Sequence, residues 1–483
     1  MTQIKADTTD EITLSLEKPI HLIGGGGVGM SGLGLLLLSQ GYRISASDLS
    51  GGGYLDKLKK SGAETWVGSA PERVPPEAII FYSSAIGSSD PELSVARKRG
   101  QAAHSRHSLL RSLTRDFYTI AVSGTHGKTT TSAWIAFLFE RAGRDPSALI
   151  GGTLPQWGSH FRIGQGTEQQ KPLLIMEADE SDSSFLQIEA NEALITNVEL
   201  DHVDHYAAEN ELYDHFRTFI LHCQQKEGLI LPSPEAQSWL PEEAPHAENL
   251  RRFYDSLQYG ANTLSFTNVW GDEKRVEMKV SLPGRHNLYN AAVVVACGLI
   301  HSLQISVIAE ALSSFAGVGR RLETIFQAKN RHGAQITMID DYAHHPTEVR
   351  AVLDVFRNGE TKLHAVWEPH RISRFCHFYQ EFTETLEEYP GLSQVSLLPV
   401  FDAGGEAASG EFARFTELWE GLQARVHALY ALDEAALNIA TEAQASQKDV
   451  IYLFMGAGHS SRVVHEAAAL LTQEIETKTE SSK

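Results

Sequence analysis

Residues 122–131 read Val-Ser-Gly-Thr-His-Gly-Lys-Thr-Thr-Thr. A short apolar run, Tyr118 to Val122, precedes them, and Ala133-Trp134-Ile135-Ala136-Phe137-Leu138-Phe139 follows. The first run reads as a buried strand and the second as a helix. A glycine-rich turn between them aims backbone N–H groups and the positive end of a helix dipole at one point, where phosphate binds. Lys128 adds a mobile cation for the outer phosphates, and Thr129 offers a hydroxyl to Mg²⁺. Val122 stands where the usual G-x-x-x-x-G-K-[ST] pattern has its first glycine. A turn that merely caps a helix leaves the lysine and its three following threonines without a purpose. Gly124, Thr125, His126, Gly127, Lys128, Thr129 and Thr130 are therefore candidate nucleotide contacts.

A second glycine turn lies upstream. Residues 20–32 run Ile-His-Leu-Ile-Gly-Gly-Gly-Gly-Val-Gly-Met-Ser-Gly, then a helix is expected over Leu33 to Gln40 and a strand over Tyr42 to Ala46, with Asp48 beyond. The pattern is that of a Rossmann-like first unit, which binds a nucleotide or diphosphate. A third strand, Ala78 to Tyr82, leads into Ser83-Ser84-Ala85-Ile86, where hydroxyls could cap a helix or meet a ligand.

Downstream of the phosphate loop, strand Leu173 to Met176 ends in Glu177-Ala178-Asp179-Glu180-Ser181-Asp182. Strand Ala193 to Thr196 ends in Asn197-Val198-Glu199-Leu200-Asp201-His202. Open α/β sheets bind ligands at the carboxyl ends of their strands, and carboxylates beside a phosphate loop suit Mg²⁺ and ATP. Pro232 to Glu248 reads as a polar insertion or flexible loop. Pro283-Gly284-Arg285-His286-Asn287 opens an apolar helix, Ala291 to Ile300. In the last third, polar groups again follow strands: Asp340 to Pro346 after Ile336–Ile339, Glu368 to Arg374 after Leu363–Trp367, and Met455 to His459 after Ile451–Phe454.

The chain has 483 residues, enough for about three cores. Lys and Arg number 41 against 61 Asp and Glu, a formal charge of −20, which argues against broad nucleic-acid or anionic-membrane binding. Three scattered cysteines, Cys223, Cys297 and Cys376, form neither a disulfide framework nor a zinc motif and fit a reducing cytoplasm. The polar start of the chain is unlike a signal peptide, and the strongest apolar run, Leu33 to Leu38, is too short to span a bilayer. No solenoid repeat is visible. The fold expected is α/β in three domains: a polar extension (1–17), a Rossmann-like domain (18–116), a central P-loop ATPase-type domain with a parallel or mixed sheet (117–318), a C-terminal Rossmann-like domain (319–475) and a polar, fraying tail (476–483).

Six segments in order, Gly24–Gly32, Gly124–Thr131, Glu177–Asp182, Asn197–His202, Gly284–Asn290 and Asp340–Pro346, resemble the Mur ligase family of ATP-dependent amino-acid ligases. Gly29 to Gly32 with Ser83 to Ile86, Glu180 to Leu186, and Pro369-His370-Arg371 with Arg374 are most similar to the branch that adds L-alanine to UDP-N-acetylmuramate. The resemblance implies an acyl phosphate made from the lactyl carboxylate and ATP, then attacked by the amine. It implies roles too: Lys128, His202 and Arg321 in catalysis; Asn287, Asn290, Arg321 and Asp341, with the phosphate loop, around ATP; and Thr129, Glu177 and His202 around two Mg²⁺ ions. Gly27, Gly29, Met30, Ser31, Asp48, Ser83 and Ser84 would meet the UDP-substrate, and Tyr342, His344, His370, Arg371 and Arg374 the L-alanine, whose carboxylate suits an arginine fork. The partners implied are these small molecules only, in a bacterial cytoplasm, with the chain a monomer or homodimer.

Ala343 and the Arg320-Arg321-Leu322-Glu323 run look more like the family's tripeptide-recycling branch, which stays open as an alternative. Where later members of the family carry a carbamylated lysine, this chain has Arg217, which cannot be carbamylated. Two readings from other classes also stand: a nicotinamide-dependent oxidoreductase built on Gly24–Gly32 and Asp48, which leaves Lys128 idle, and a catalytically silent binding protein.

Overall fold

The computed structural model describes residues 12 and 14–481, apart from 166–170, 182, 202, 204, 205, 207, 226, 358, 360, 403–408, 424 and 425. Asp182 and His202, both singled out above, lie outside the described residues.

The first sheet is parallel throughout, in the order β3-β2-β1-β4-β5. Its strands are β1 (Ile20–Ile23), β2 (Ile44–Asp48), β3 (Glu64–Val67), β4 (Ile79–Tyr82) and β5 (Ala103–Ser105), with helices α1 (Val28–Ser39), α2 (Gly53–Lys60), α3 (Pro91–Lys98) and α4 (Arg106–Thr114) between and after them. The chain moves outward from β1 in both directions. The topological switch therefore falls between β1 and β4, where the glycine turn and Ser83 emerge together. Helix α1 starts at Val28, five residues before the start expected from the leucine run, because the glycine turn closes sooner.

The second sheet runs β11-β10-β6-β9-β7-β8. Strands β6 (Tyr118–Ser123), β7 (Ser147–Leu154), β9 (Leu173–Glu177), β10 (Glu192–Ile195) and β11 (Leu229–Pro232) are parallel, and β8 (Ser159–Arg162) is an antiparallel edge. Strand β6 sits inside the sheet, buried from Thr119 to Ser123 as an apolar strand covered on both faces should be. Helix α5 (Lys128–Arg141) is buried nearly all round. Its Trp134 stacks on Phe315 at 4.9 Å and donates to the Ala311 carbonyl at 3.1 Å. Helices α6 (Glu209–Gln224), α7 (Ala247–Asp255), α8 (Arg285–Ile300) and α9 (Ile305–Ser314) complete this part, with a small antiparallel sheet of β12 (Gln258–Tyr259), β13 (Thr263–Thr267) and β14 (Arg275–Lys279). The expected loop Pro232–Glu248 is ordered differently. Ser233 caps a 3₁₀ turn, Pro234–Trp239, by accepting from Glu235 N–H, and Ala247 begins α7.

The last sheet, β15-β16-β20-β17-β18-β19, is mixed. Strand β15 (Glu323–Lys329) is an antiparallel edge that the apolar pattern did not announce. It is followed by β16 (Gln335–Asp341), α10 (Pro346–Asp354), β17 (Lys362–Trp367), α11 (Ile372–His377), α12 (Tyr379–Glu388), β18 (Leu392–Leu397), α13 (Ser409–Gln423), β19 (Ala428–Leu429), α14 (Ala435–Ala445), β20 (Val450–Met455) and α15 (Ser460–Ser481). The expected frayed tail is instead the end of α15, which continues to Ser481.

One apolar cluster is shared by the first two sheets, from Ile20 to Val318. The last sheet has its own clusters on its two faces. It meets the central sheet largely through charged and polar groups described below, an arrangement suited to relative motion. The three cysteines are buried, and none is in a disulfide. Among the described residues, no helix is long and apolar enough to cross a membrane.

Candidate active site

Gly124 and Gly127 have φ of +132° and +82°. A Cβ on Gly124 would lie 2.0 Å from Thr196 Oγ1, and one on Gly127 would lie 2.8 Å from Asn290 Oδ1. Both positions thus require glycine, for backbone angle and for space. The turn is pinned to the end of β10. Thr125 N–H donates to the Asn197 carbonyl at 3.0 Å, His126 N–H to Asn197 Oδ1 at 2.8 Å, and Thr125 Oγ1 to the Glu199 carbonyl at 2.9 Å.

Lys128 Nζ reaches back over the turn. It donates to the carbonyls of Gly124 (2.7 Å) and Thr125 (3.1 Å) and pairs with Glu180 at 2.8 Å. Burial opposes its charge, but Glu180, Asp179 and Glu177 outweigh that and hold the ammonium above its ordinary pKa. Thr129 Oγ1 and Gly151 N–H both donate to Glu177 Oε2, at 2.9 and 2.8 Å. Burial raises the pKa of Glu177. The site is a fixed cation ringed by carboxylates, at the carboxyl edge of a parallel sheet.

A cavity of about 820 Å³ opens beside the turn, within the range of small-molecule sites. It gathers His126, Gly127 and Thr130 from the turn, Asn287 and Asn290 from α8, and Arg321 and Asp341 from the last sheet. Gly284 is the N-cap of α8. Asn287 Nδ2 donates to the Pro283 carbonyl at 2.7 Å, and Asn290 Nδ2 to Asn287 Oδ1 at 3.3 Å. Asp341 accepts Leu322 and Ala343 N–H groups, each at 2.8 Å. Burial pushes its pKa up to about 6, against the pull of Arg321.

Two acids organise this cavity: Glu348, which sequence reasoning did not single out, and Glu199, which stands in the strand-end cluster Asn197–His202. Glu348 Oε1 lies 3.3 Å from His126 Nδ1 and 3.7 Å from Arg321 Nη1, while Oε2 lies 3.2 Å from His344 Nδ1. Glu199 lies 3.4 Å from His126 Nε2 and accepts from Thr347 Oγ1 at 2.5 Å. Burial opposes charge on both His126 and Glu348. Glu199 and Glu348 nevertheless raise His126 to about 9, and His344, His126 and Arg321 hold the Glu348 carboxyl well below its usual range. The signal for Glu348 was present as a helix start, His345-Pro346-Thr347-Glu348, which forms a capping box on α10.

The remaining C-terminal candidates adjoin one another. The Tyr342 ring lies 4.9 Å from the Arg320 guanidinium and 5.4 Å from that of Arg321. The His344 and His370 rings meet edge to face at 5.1 Å. His344 Nδ1 also lies 2.9 Å from the Tyr342 carbonyl, so this nitrogen carries the proton. Burial lowers His344 to about 4, leaving the ring neutral with Nε2 unprotonated. Arg374, 2 % exposed, grips Asp201 through Nε at 2.8 Å and Nη2 at 2.7 Å, and lies 2.7 Å from His370 Nδ1 through Nη1. Arg371 sits at φ +62°, its N–H on the Phe401 carbonyl at 2.9 Å. Arg217 is remote from these groups, exposed on α6 and paired with Asp214 at 2.8 Å.

The first glycine turn faces a smaller cavity of about 120 Å³, lined by Gly29, Arg106, His160, Glu177 and Asp179. Glu177 thus links the two glycine turns. Gly26 N–H donates to Asp48 Oδ2 at 2.9 Å, and Ser31 Oγ lies 3.4 Å from His160 Nε2. Ser83 stands 3.0 Å from the point a Cβ on Gly24 would occupy, whereas Ser84 is exposed and a Cβ on Gly27 would make only an ordinary contact, with the Gly24 carbonyl at 3.7 Å. The Met30 side chain is buried in the apolar core. Arg106 was missed by sequence reasoning. It donates to Ser184 Oγ at 3.1 Å and would be 2.5 Å from a Cβ on Gly29.

Comparison with known proteins agrees with this geometry. Residues 19–118 match the Mur ligase family catalytic domain, 122–298 the Mur ligase middle domain, and 320–458 the Mur ligase glutamate ligase domain. The UDP-N-acetylmuramate–L-alanine ligase of Solidesulfovibrio magneticus is 35% identical over 459 residues, covering 91% of this chain and 95% of its own. That of Gloeobacter violaceus is 34% identical, covering 92% and 94%. The crystal structure of the UDP-N-acetylmuramate–alanine ligase of Thermotoga maritima has the same fold, with a TM-score of 0.71 at 22% identity over 95% of this chain and 99% of its own. A murein peptide ligase from Psychrobacter arcticus superposes with a TM-score of 0.64 at 19% identity, covering 94% and 98%. With its α/β units in this order and its matches spanning nearly the whole chain, the protein belongs to the Mur ligase family.

Proposed function

We propose that this chain is an ATP-dependent ligase that joins L-alanine to the lactyl carboxylate of UDP-N-acetylmuramate, a cytoplasmic step in bacterial peptidoglycan precursor synthesis. The observation that carries this reading is the buried Lys128 among Glu177, Asp179 and Glu180, between the Gly29 cavity and the larger cavity shared by His126, Asn290, Arg321 and Asp341. A UDP-sugar on one side and ATP on the other would meet at Lys128. A carboxylate and a triphosphate repel each other, so the attack of one on the γ-phosphate of the other needs fixed positive charge. Lys128 and Arg321 supply it. The carboxylate oxygen attacks phosphorus, ADP leaves, and an acyl phosphate results. The amine then adds to the carbonyl, and phosphate leaves from the tetrahedral intermediate.

Thr129 Oγ1 and Glu177 Oε2, 2.9 Å apart, are hard oxygen donors of the kind Mg²⁺ takes. One Mg²⁺ held there would neutralise phosphate charge, and the family resemblance adds a second at His202. Asn287 and Asn290 suit the adenine edge, Asp341 the ribose, and Gly27, Gly29, Ser31, Asp48 and Ser83 the UDP moiety. Tyr342, His344, His370, Arg371 and Arg374 would receive the alanine.

The relatives at 34–35% identity over 91–92% of this chain carry the alanine-ligase name, whereas the likeness to murein peptide ligases is weaker, at 19% identity in one structure and 26% over only 63% of this chain in another. Phosphate release from ATP with Mg²⁺ and UDP-N-acetylmuramate tests the reading, with L-alanine compared against L-Ala-γ-D-Glu-meso-diaminopimelate. Release with L-alanine supports it. Release only with the tripeptide replaces it with the recycling activity.

A further inference from the structure

Glu348 stands where three parts of the molecule meet. His126 belongs to the phosphate turn, Arg321 to the approach to the last sheet, and His344 to the cluster after β16. All three converge on this carboxylate at 3.2–3.7 Å. The two oxygens divide the work. Oε1 faces His126 and Arg321, both lining the nucleotide-sized cavity. Oε2 holds His344 Nδ1 and accepts the His344 and His345 N–H groups at 3.0 and 3.4 Å. The group is 10% exposed, so these contacts are poorly screened and geometrically exacting. Glu199 repeats the bridge more weakly, touching His126 on one side and Thr347 on the other.

We propose that Glu348 is a positioning residue that couples the phosphate turn to the amino-acid side of the site, so that a change at His126 is felt at His344. The proposal rests on the functional reading above for the identity of the two sides. The physical reason is rigidity: the His126 ring, and the backbone N–H and ring of His344, all contact one short side chain anchored in the first turn of α10, while the Tyr342 carbonyl holds the His344 Nδ1 proton. When nucleotide displaces His126 or Arg321 from Oε1, the carboxylate is freed to turn, and the contacts of Oε2 with the His344 backbone and ring change with it. An acyl phosphate is easily lost to water, so readying the amine site only when nucleotide is present suppresses futile turnover.

Glu348→Gln separates this role from helix capping. Glutamine also completes a capping box, so its carbonyl oxygen can keep the His344 and His345 N–H contacts while the charge facing His126 and Arg321 is lost. The expected result is a thermal midpoint within a few degrees of wild type, an unchanged KM for UDP-N-acetylmuramate, and KM values for ATP and L-alanine that rise together. A rise for ATP alone would overturn the coupling. Imidazole ¹⁵N spectra of the histidine-labelled full chain supply a readout that needs no turnover. A non-hydrolysable ATP analogue should move the His344 signal in wild type and leave it still in Glu348→Gln, and an equal movement in both would sink the proposal. Should Glu348→Gln fail to fold, His126→Gln with Glu348 intact decides the matter: a shifted His344 signal supports coupling, an unmoved one refutes it. Wild-type protein that releases no phosphate with either acceptor would overturn the functional reading, while the imidazole spectra still judge the coupling.

Discussion

The turn after β1 and the turn after β6 each join a buried strand to an apolar helix through closely spaced glycines, but their surroundings differ in kind. The second carries a buried cation, Lys128, held by Glu180 and by the turn's own carbonyls. The first has no lysine. Asp48 accepts a backbone N–H from Gly26 and so fixes the turn from outside, and the cation near it, Arg106, comes from α4 and lies against Gly29. The glycines differ as well. Gly124 cannot carry a side chain, whereas Gly27 has φ −73° and room for a Cβ, whose one near neighbour would be the Gly24 carbonyl at 3.7 Å. One turn is built to neutralise a multiply charged group, and the other to let a ligand lie close to bare backbone. The glycine spacing is similar; the electrostatics assign the work.

Removing the cation should separate the two turns most sharply. Lys128→Ala is expected to lower kcat by about 10³-fold, the scale of losing a group that stabilises charge in the transition state. Affinity for UDP-N-acetylmuramate, measured by calorimetry, should stay within about twofold. Equal loss of both would mean that the turns do not divide the substrates as proposed. Next comes the contrast between glycines. Gly124→Ala forces a left-handed angle and a clash with Thr196 and Asn197, and should cost on the order of 3 kcal/mol in urea unfolding together with ATP binding. Gly27→Ala should cost under about 0.5 kcal/mol, as an unstrained exposed change does, yet raise KM for the UDP-sugar. If it leaves that KM unmoved, no ligand approaches this backbone. Asp48→Asn should have a smaller effect, about a fivefold rise in the same KM, equivalent to roughly 1 kcal/mol for a weakened charged acceptor.

The two turns also show what could be read from residues alone. Both were legible because strand, glycines and helix are consecutive, and local chemistry suffices to interpret them. The edge strand β15 was not, because Glu323–Lys329 lacks a sustained apolar alternation and its pairing is set by its neighbour; the small sheet was overlooked although Thr263–Thr267 and Arg275–Lys279 each alternate polar and apolar residues. The 3₁₀ turn at Pro234–Trp239 was hidden by a proline-rich, polar composition that also describes loops. In the site, Lys128, Glu177, Asn290 and Arg321 stood in recognisable segments. Glu348 and Arg106 did not, since their partners lie far away in sequence: Glu348 meets His126 only after the last sheet folds back on the central one, and Arg106 meets Ser184 across two sheets. A capping glutamate and a surface arginine are indistinguishable from these until the chain closes.

The subtlest difference between the turns lies in their histidines, and pH exposes it. Glu199 and Glu348 overcome burial and raise His126 to about 9 from an ordinary 6.5. His160, beside the first turn, is lowered to about 4 by burial, with Lys57 adding to the effect. A raised folded-state pKa means that the His126 contribution is complete below pH 6.5 and disappears as pH climbs through 9. For His160 the unfolded chain binds the extra proton, so its burden on stability is absent above pH 6.5 and grows as pH falls toward 4. The midpoint difference between wild type and His126→Gln should therefore be largest near pH 6 and shrink toward pH 10. That between wild type and His160→Gln should stay flat across this range and move only in acid. A flat His126 profile would mean that its imidazole is neutral in the fold. The phosphate turn would then carry one cation rather than two, and the electrostatic contrast between the turns would rest on Lys128 alone.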